Sequence, residues 1–224
     1  MHQKLKSKIQ KTRCWSCIGG WCIWWYLWKS VRLELSEQYG YTFTHPFNDE
    51  DIIAGQGTIA LEILKELPET DVIITAIGGG GLISGVAYAA KMIKPTIKVI
   101  GVQSSGAPSM YASFASGYIT KLHKVKTFAD GIAVKEAGNI TFDYVNKYVD
   151  DILTVKDEDI LETLKQLMQK EKLLSEGAGA TPVALAIKHK IPGLHKGMNI
   201  VWVVSGGYID IDVLSNIVLK GFNN

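Results

Sequence analysis

Cysteine is absent from everything after Cys22, and the three that exist, Cys14, Cys17 and Cys22, crowd into one N-terminal stretch. An odd number so placed builds no disulfide framework, and a reducing cytoplasm is the compartment that fits this usage. Charge of one sign is also missing: 24 basic side chains stand against 22 acidic ones, a formal net charge of +2. So balanced a surface gives no reason to expect nucleic acid or an anionic membrane as partner, which leaves small molecules. Internal repeats and low-complexity linkers are lacking too. What is present is a chain of 224 residues, 47% hydrophobic and 21% charged. That excludes a disordered tail or a collagen-like polymer and suffices to bury at least one full core.

Residues 1–30 stand apart. A basic run (Lys4, Lys6, Lys8, Lys11, Arg13) leads into CWSCIGGWCIWWYLW, from Cys14 to Trp28. The pattern superficially suggests a signal peptide or anchor, but the apolar run is shorter than the roughly 20 residues a spanning helix needs, and no small-x-small cleavage site follows. Cys14 and Cys17 form a CxxC without a second ligand pair at zinc spacing, so no metal is expected. The segment is read as the product of a frameshift or truncation.

From Val31 the pattern becomes ordinary. VRLELSEQYG reads as the end of an amphipathic helix stopped by Gly40, and YTFTHPF as a short strand and turn. Asp49 is placed to cap a helix through IIAGQGTIALEILKEL, with Ile59, Leu61, Ile63, Leu64 and Leu67 mostly on one side. Val72 to Ile77 is a continuous apolar strand, followed by a glycine loop, a helix from about Leu82 to Ile93, and after Pro95 the strand KVIGVQ. Strands apolar along their whole length fit a sheet covered on both faces. DILTV, the helix DEDILETLKQLMQKEKL, the helix ATPVALAIKHK and the strand NIVWVVSGG continue the alternation, so the expected architecture is a doubly wound, mainly parallel α/β sheet.

Gly78, Gly79, Gly80 and Gly81 sit between a buried strand and a helix start. There the backbone turns tightly, and its N–H groups, helped by the helix dipole, suit an anion such as phosphate. The same run would also fit a flexible turn. Ser205, Gly206 and Gly207 close the last strong strand, at the carboxyl end where ligands of open parallel sheets gather; a plain Ser-Gly turn is the alternative. Glu176 precedes small residues in LSEGAGAT, which suits either a carboxylate beside a ligand or a helix-capping acid. Asp130-Gly131 reads locally as a turn. His45, His123, His189 and His195 are scattered and read as surface or turn residues; Lys91, Lys94, Lys98, Lys165 and Lys170 read as solvated charges.

Six segments, HPFNDEDIIAGQGTIALEI, IGGGGLISG, GVQSSGAPSMYASF, TFADGIAV, LLSEGAGA and VVSGGYID, stand in the order and spacing of the threonine dehydratases. From Val31 to the C-terminus the chain therefore resembles this branch of the fold-type II, tryptophan-synthase-β-like pyridoxal-phosphate enzymes. The resemblance implies two open α/β domains with the cofactor, pyridoxal 5'-phosphate, between them. Residues 47–224 would be the large cofactor-binding domain and residues 31–46 a remnant of the smaller one. It further implies that Gly78, Gly79, Gly80, Gly81 and Leu82 bind the cofactor phosphate. Ser205 would share a hydrogen with the pyridine nitrogen, Gly131 would lie beside the ring, and Glu176 would stand near ring and substrate. The implied substrate is a small amino acid, threonine or serine, converted to a 2-oxo acid and ammonia, and the full-length family implies a homo-oligomer.

Two departures accompany the likeness. Tyr208 stands where the family usually has Asn. The family's Schiff-base lysine, in a Ser-Phe-Lys-x-Arg-Gly segment, and its substrate-carboxylate loop have no counterpart in these 224 residues. No catalytic residue is therefore assigned, and the chain alone is expected to lack turnover. A non-catalytic remnant binding a phosphate-bearing ligand, or a serine racemase, are the competing readings. IAGQGTIALEI and the ADG triplet favour the dehydratase and racemase branch over threonine or cysteine synthases. An apolar surface left exposed on the large domain is a further expectation.

Overall fold

The computed structural model of the protein describes residue 34, residues 37–40, 42, 44–188, 191 and 193–221. The expectations for residues 1–30, and part of those for residues 31–43, lie outside the described residues. Residues from His45 onward form a compact unit of their own.

The sheet of that unit is built from β1 (Val72–Ala76), β2 (Lys98–Ser104), β3 (Asp151–Val155) and β4 (Ile200–Trp202), in the order β3-β2-β1-β4. All pairings are parallel: Val72 lies opposite Lys98 and Ile200, and Ile100 opposite Asp151. Parallel neighbours need crossovers: α2 (Gly81–Ile93) joins β1 to β2, α3 (Ser109–Ser116) and α4 (Asn139–Tyr148) join β2 to β3, and α5 (Asp157–Gln166) and α6 (Gly177–Lys188) join β3 to β4, while α1 (Glu50–Glu66) precedes the sheet and α7 (Ile211–Gly221) follows it.

Alternation along β1 explains why it is apolar on both faces, Thr75 excepted. Val72, Ile74 and Ala76 enter a core shared with Ile160 and Leu164 of α5 and Ala184 and Leu185 of α6. Ile73, with Ile77 just beyond the strand, enters the opposite core, with Ala60 of α1, Val86 and Ala90 of α2 and Val145 of α4. Both faces are thus covered, and each fully buried isoleucine contributes roughly 2–3 kcal/mol of apolar burial. The doubly wound parallel architecture expected from the sequence is present.

Several local expectations shift. Asp49 caps α1 as anticipated, Oδ1 accepting from the Asp51 and Ile52 N–H groups at 2.9 and 3.3 Å. The buried stripe of α1, however, is Ile53, Gly57, Ala60 and Leu64, whereas Leu61 and Leu67 are about half exposed. The cause is the crossing with α2, which passes so close at Gly57 and Gly85 that the glycine side of α1 faces inward. No strand occurs among the described residues of 41–47; Pro46 to Asp49 form a bend, because His45 Nδ1 accepts the Asn48 N–H at 2.9 Å and turns the chain. His45 is accordingly a partnered turn residue. The helix expected over residues 157–173 is α-helical only to Gln166, then widens into a π turn at Leu167–Glu171 and ends with Lys172 at φ 58°. α6 begins at Gly177, earlier than expected, with Ala180 N–H bonding to the Glu176 carbonyl at 3.0 Å. Of the lysines, Lys91 pairs with Asp150 at 2.9 Å and Lys94 donates to the Thr70 carbonyl at 2.7 Å, so neither is simply solvated. β4 is shorter than expected: Val203 is half-buried and just beyond the strand, though its N–H still bonds to the Ile74 carbonyl at 2.9 Å.

The α1–α2 crossing can be tested by two glycines of opposite character. A methyl at Gly85 would meet the Ile53 carbonyl and the Gly57 nitrogen, backbone atoms that cannot rotate away. Gly85→Ala is expected to cost about 1–3 kcal/mol of stability. Gly55, in α1 with open space around it, should gain about 0.5–1 kcal/mol on replacement by alanine. Thermal unfolding of both variants checks this; equal shifts would contradict the crossing.

Candidate functional site

Because β1 and β4 are adjacent and parallel, the loops that follow them leave from the same edge of the sheet. The first is Gly78 to Gly81, the second Ser205 to Gly207, so the two segments singled out in the sequence share the carboxyl edge.

Further contacts join them to the remaining candidates. A methyl built on Gly78 would lie 3.2 Å from the Gly131 carbonyl, one on Gly131 would lie 3.1 Å from Glu176 Oε1, and one on Gly206 would lie 2.6 Å from the same oxygen. Gly78, Gly131, Glu176 and Gly206 therefore form a continuous line of near contacts. Glu176 also ties the second loop through its N–H, which donates to the Gly206 carbonyl at 3.2 Å, while Ser175 Oγ donates to that carbonyl at 3.1 Å. The Ser205 carbonyl abuts Gly179. Its hydroxyl has no hydrogen-bond partner among the described residues. Asp130 and Gly131 sit in one turn of 3-10 helix, Asp130–Ile132. That turn is anchored by Asp157, which accepts from Thr127 Oγ1 at 2.8 Å, Phe128 N–H at 3.0 Å and Ser104 Oγ at 2.7 Å.

At the head of α2, Gly80 serves as N-cap with φ 100°, a conformation open to glycine. No protein group among the described residues accepts from the backbone N–H groups of Gly78, Gly79, Gly80, Gly81, Leu82 or Ile83. All but Gly78 and Leu82 are buried, and these two are half-buried. Buried amides without acceptors are costly, and a run of them at a helix N-terminus is an arrangement suited to an anion. The donor set fits a phosphate monoester.

Glu176 has its carboxyl pushed above the ordinary 4.5, first by burial and second by the nearby Asp130 carboxylate; hydrogen bonding from the Tyr208 backbone pulls the other way. The Tyr208 side chain is 96% exposed, so where the resemblance led us to expect a polar side chain this chain offers a backbone group.

Three residues of this neighbourhood were not singled out in the sequence reading. The Phe47 ring packs against the Gly79 α-carbon, 2.5 Å from where a methyl would sit. Asn48 Oδ1 accepts the Ile140 N–H at 2.9 Å and so caps α4 from a distant segment. Thr141 Oγ1 donates to the Gly79 carbonyl at 2.7 Å, holding the loop from behind. The position of Asn48 just before a capped helix was a usable signal; for Thr141 there was none, since its partner lies 62 residues away.

A parallel α/β sheet with a glycine loop and an open helix N-terminus at its carboxyl edge has the arrangement in which open α/β folds gather their ligands. The family of pyridoxal-phosphate dependent enzymes matches residues 19–206, and the chain belongs to it. It is 46% identical over 191 residues to the L-threonine ammonia-lyase of Thermotoga maritima, covering 85% of this chain and 47% of that protein. It is 44% identical to the catabolic L-threonine dehydratase of Escherichia coli, covering 82% of this chain and 56% of that one. The solved structure of maize serine racemase superposes with a TM-score of 0.80 at 36% identity, over 86% of this chain and 59% of the racemase. The chain thus spans about half the length of the curated relatives it matches.

The raised Glu176 carboxyl means that the folded chain holds this proton more tightly than the unfolded one. Its contribution to stability is therefore greatest below 4.5 and falls as pH rises from 4.5 through the raised folded value. Glu176→Gln should match the native chain in unfolding midpoint at about pH 4 and exceed it progressively toward neutrality. A pH-independent difference would contradict the assignment.

Proposed function

We propose that this chain supplies the phosphate cradle and one wall of the ring site of a pyridoxal-phosphate-dependent dehydratase that converts threonine or serine to 2-oxobutanoate or pyruvate, with release of ammonia. The observation that carries the reading is the run of acceptorless amides from Gly78 to Ile83, next to Gly131, Glu176 and the loop of Ser205. The relatives named as threonine ammonia-lyase and threonine dehydratase support the reaction class.

Pyridoxal phosphate, when bound, would supply an electron-accepting ring for the elimination. Gly78, Gly79, Gly80, Gly81 and Leu82 hold its phosphate by backbone donation and the α2 dipole. Ser205 offers a neutral hydroxyl to the ring nitrogen, which does not force that nitrogen to stay protonated. Such tuning suits elimination, where the electrons leave with the substrate hydroxyl. Glu176, whose carboxyl is raised above its ordinary value first by burial and then by Asp130, lies beside Gly131 and Gly206. The protein works in the cytoplasm, residues 47–224 act as its large domain, and it assembles as a homo-oligomer. Support for assembly comes from Tyr208 and Ile211, 96% and 77% exposed in the segment after β4. Among the described residues, no helix is long and apolar enough to cross a membrane.

The chain has no Ser-Phe-Lys-x-Arg-Gly segment, so its binding of the cofactor is expected to be reversible and without turnover. Pyridoxal phosphate is added to the full chain with and without inorganic phosphate, and half of each sample is reduced with borohydride. Binding competed by phosphate, no pyridoxyl-lysine peptide and no 2-oxobutanoate from threonine are expected. A stoichiometric adduct with turnover, or binding indifferent to phosphate, would overturn the reading.

A further inference from the structure

The peptide between Gly79 and Gly80 has glycine on both sides, so rotating it by half a turn meets little steric resistance. In a trans peptide the carbonyl and the N–H point in opposite directions. One orientation aims the Gly80 N–H toward an anion; the flipped one would present the Gly79 oxygen instead and repel it. Something outside the loop has to choose between them.

Thr141, in the first turn of α4, is fully buried. Its hydroxyl lies 2.7 Å from the Gly79 carbonyl and 3.1 Å from the Gly138 carbonyl. A hydroxyl has one hydrogen, and the shorter contact takes the larger share of it. The Thr141 carbonyl is itself held by Ser84 Oγ of α2 at 3.2 Å, and α4 is capped by Asn48, so the donor cannot drift with the loop. A methyl on Gly80 would fall 2.8 Å from Thr141 Cβ, which places the threonine directly behind the peptide it bonds.

Resting on the phosphate-cradle reading above, we propose that Thr141 is a positioning residue that locks the Gly79–Gly80 peptide with its N–H turned away from α4. It thereby sets the chain's preference for a phosphorylated ligand without touching that ligand.

The test compares dissociation constants of the full chain for pyridoxal 5'-phosphate and for pyridoxal, which lacks the phosphate. Thr141→Val keeps the shape and removes the hydroxyl; Thr141→Ser keeps the hydroxyl. The native chain is expected to prefer the phosphorylated ligand. Thr141→Val should lose about tenfold of that preference with pyridoxal binding unchanged, the loss of one buried hydrogen bond, and Thr141→Ser should retain it. If Thr141→Val does not fold, Thr141→Cys, a weak donor, should show an intermediate loss. A native preference that survives Thr141→Val or Thr141→Cys, or that Thr141→Ser abolishes as fully, overturns the role of Thr141 alone. A native chain that binds both ligands equally overturns the cradle, and this role with it.

Discussion

β1 lies hydrogen-bonded between β2 and β4, all running the same way, and the site depends on that parallel pairing. It sends the glycine loop and the Ser205 loop out at one edge. It also demands that the strand be apolar on both sides, since each face carries its own helical core. A single polar side chain in this run, Thr75, is fully buried with its hydroxyl unpartnered. The helices then follow from need: parallel strands must be joined over the faces, and α2 begins where β1 ends, so its N-terminus points its unpaired amides at the sheet edge.

The chemistry of the site is a balance of neutral and charged groups. The proposed cradle consists of backbone donors, with no basic side chain among its residues, so its attraction for an anion would rest on direction and the helix dipole. At the other end burial, and after it the Asp130 carboxylate, raises the Glu176 carboxyl above its ordinary value. Open backbone donors at one end and a carboxyl raised by burial at the other would suit a cofactor whose charge is concentrated in its phosphate.

Much of this was legible in the sequence because it is local. The four apolar residues of β1, the glycines after it and Asp49 before α1 each declare their role within a few positions, and the ordered motifs carried the family. The inward face of α1 was misjudged because a close helix crossing favours Gly57 and Ala60 over Leu61, a tertiary decision that hydrophobicity does not record. Thr141, Phe47 and Asn48 were missed for the same reason: each acts across the fold, on Gly79 or on the start of α4. Glu176 was found, but its neighbour Asp130 looked like an ordinary turn residue until the fold brought the two carboxylates together.

The central claim is that the amides from Gly78 to Ile83 are the anion-binding donors. Nuclear magnetic resonance on the 15N-labelled full chain tests it directly, with amide shifts followed as inorganic phosphate is titrated in. The account predicts that the largest saturable shifts fall on Gly79, Gly80, Gly81 and Leu82, with smaller ones at Thr141 behind them. Shifts absent from these residues, or concentrated on the exposed lysines of the surface, would contradict it.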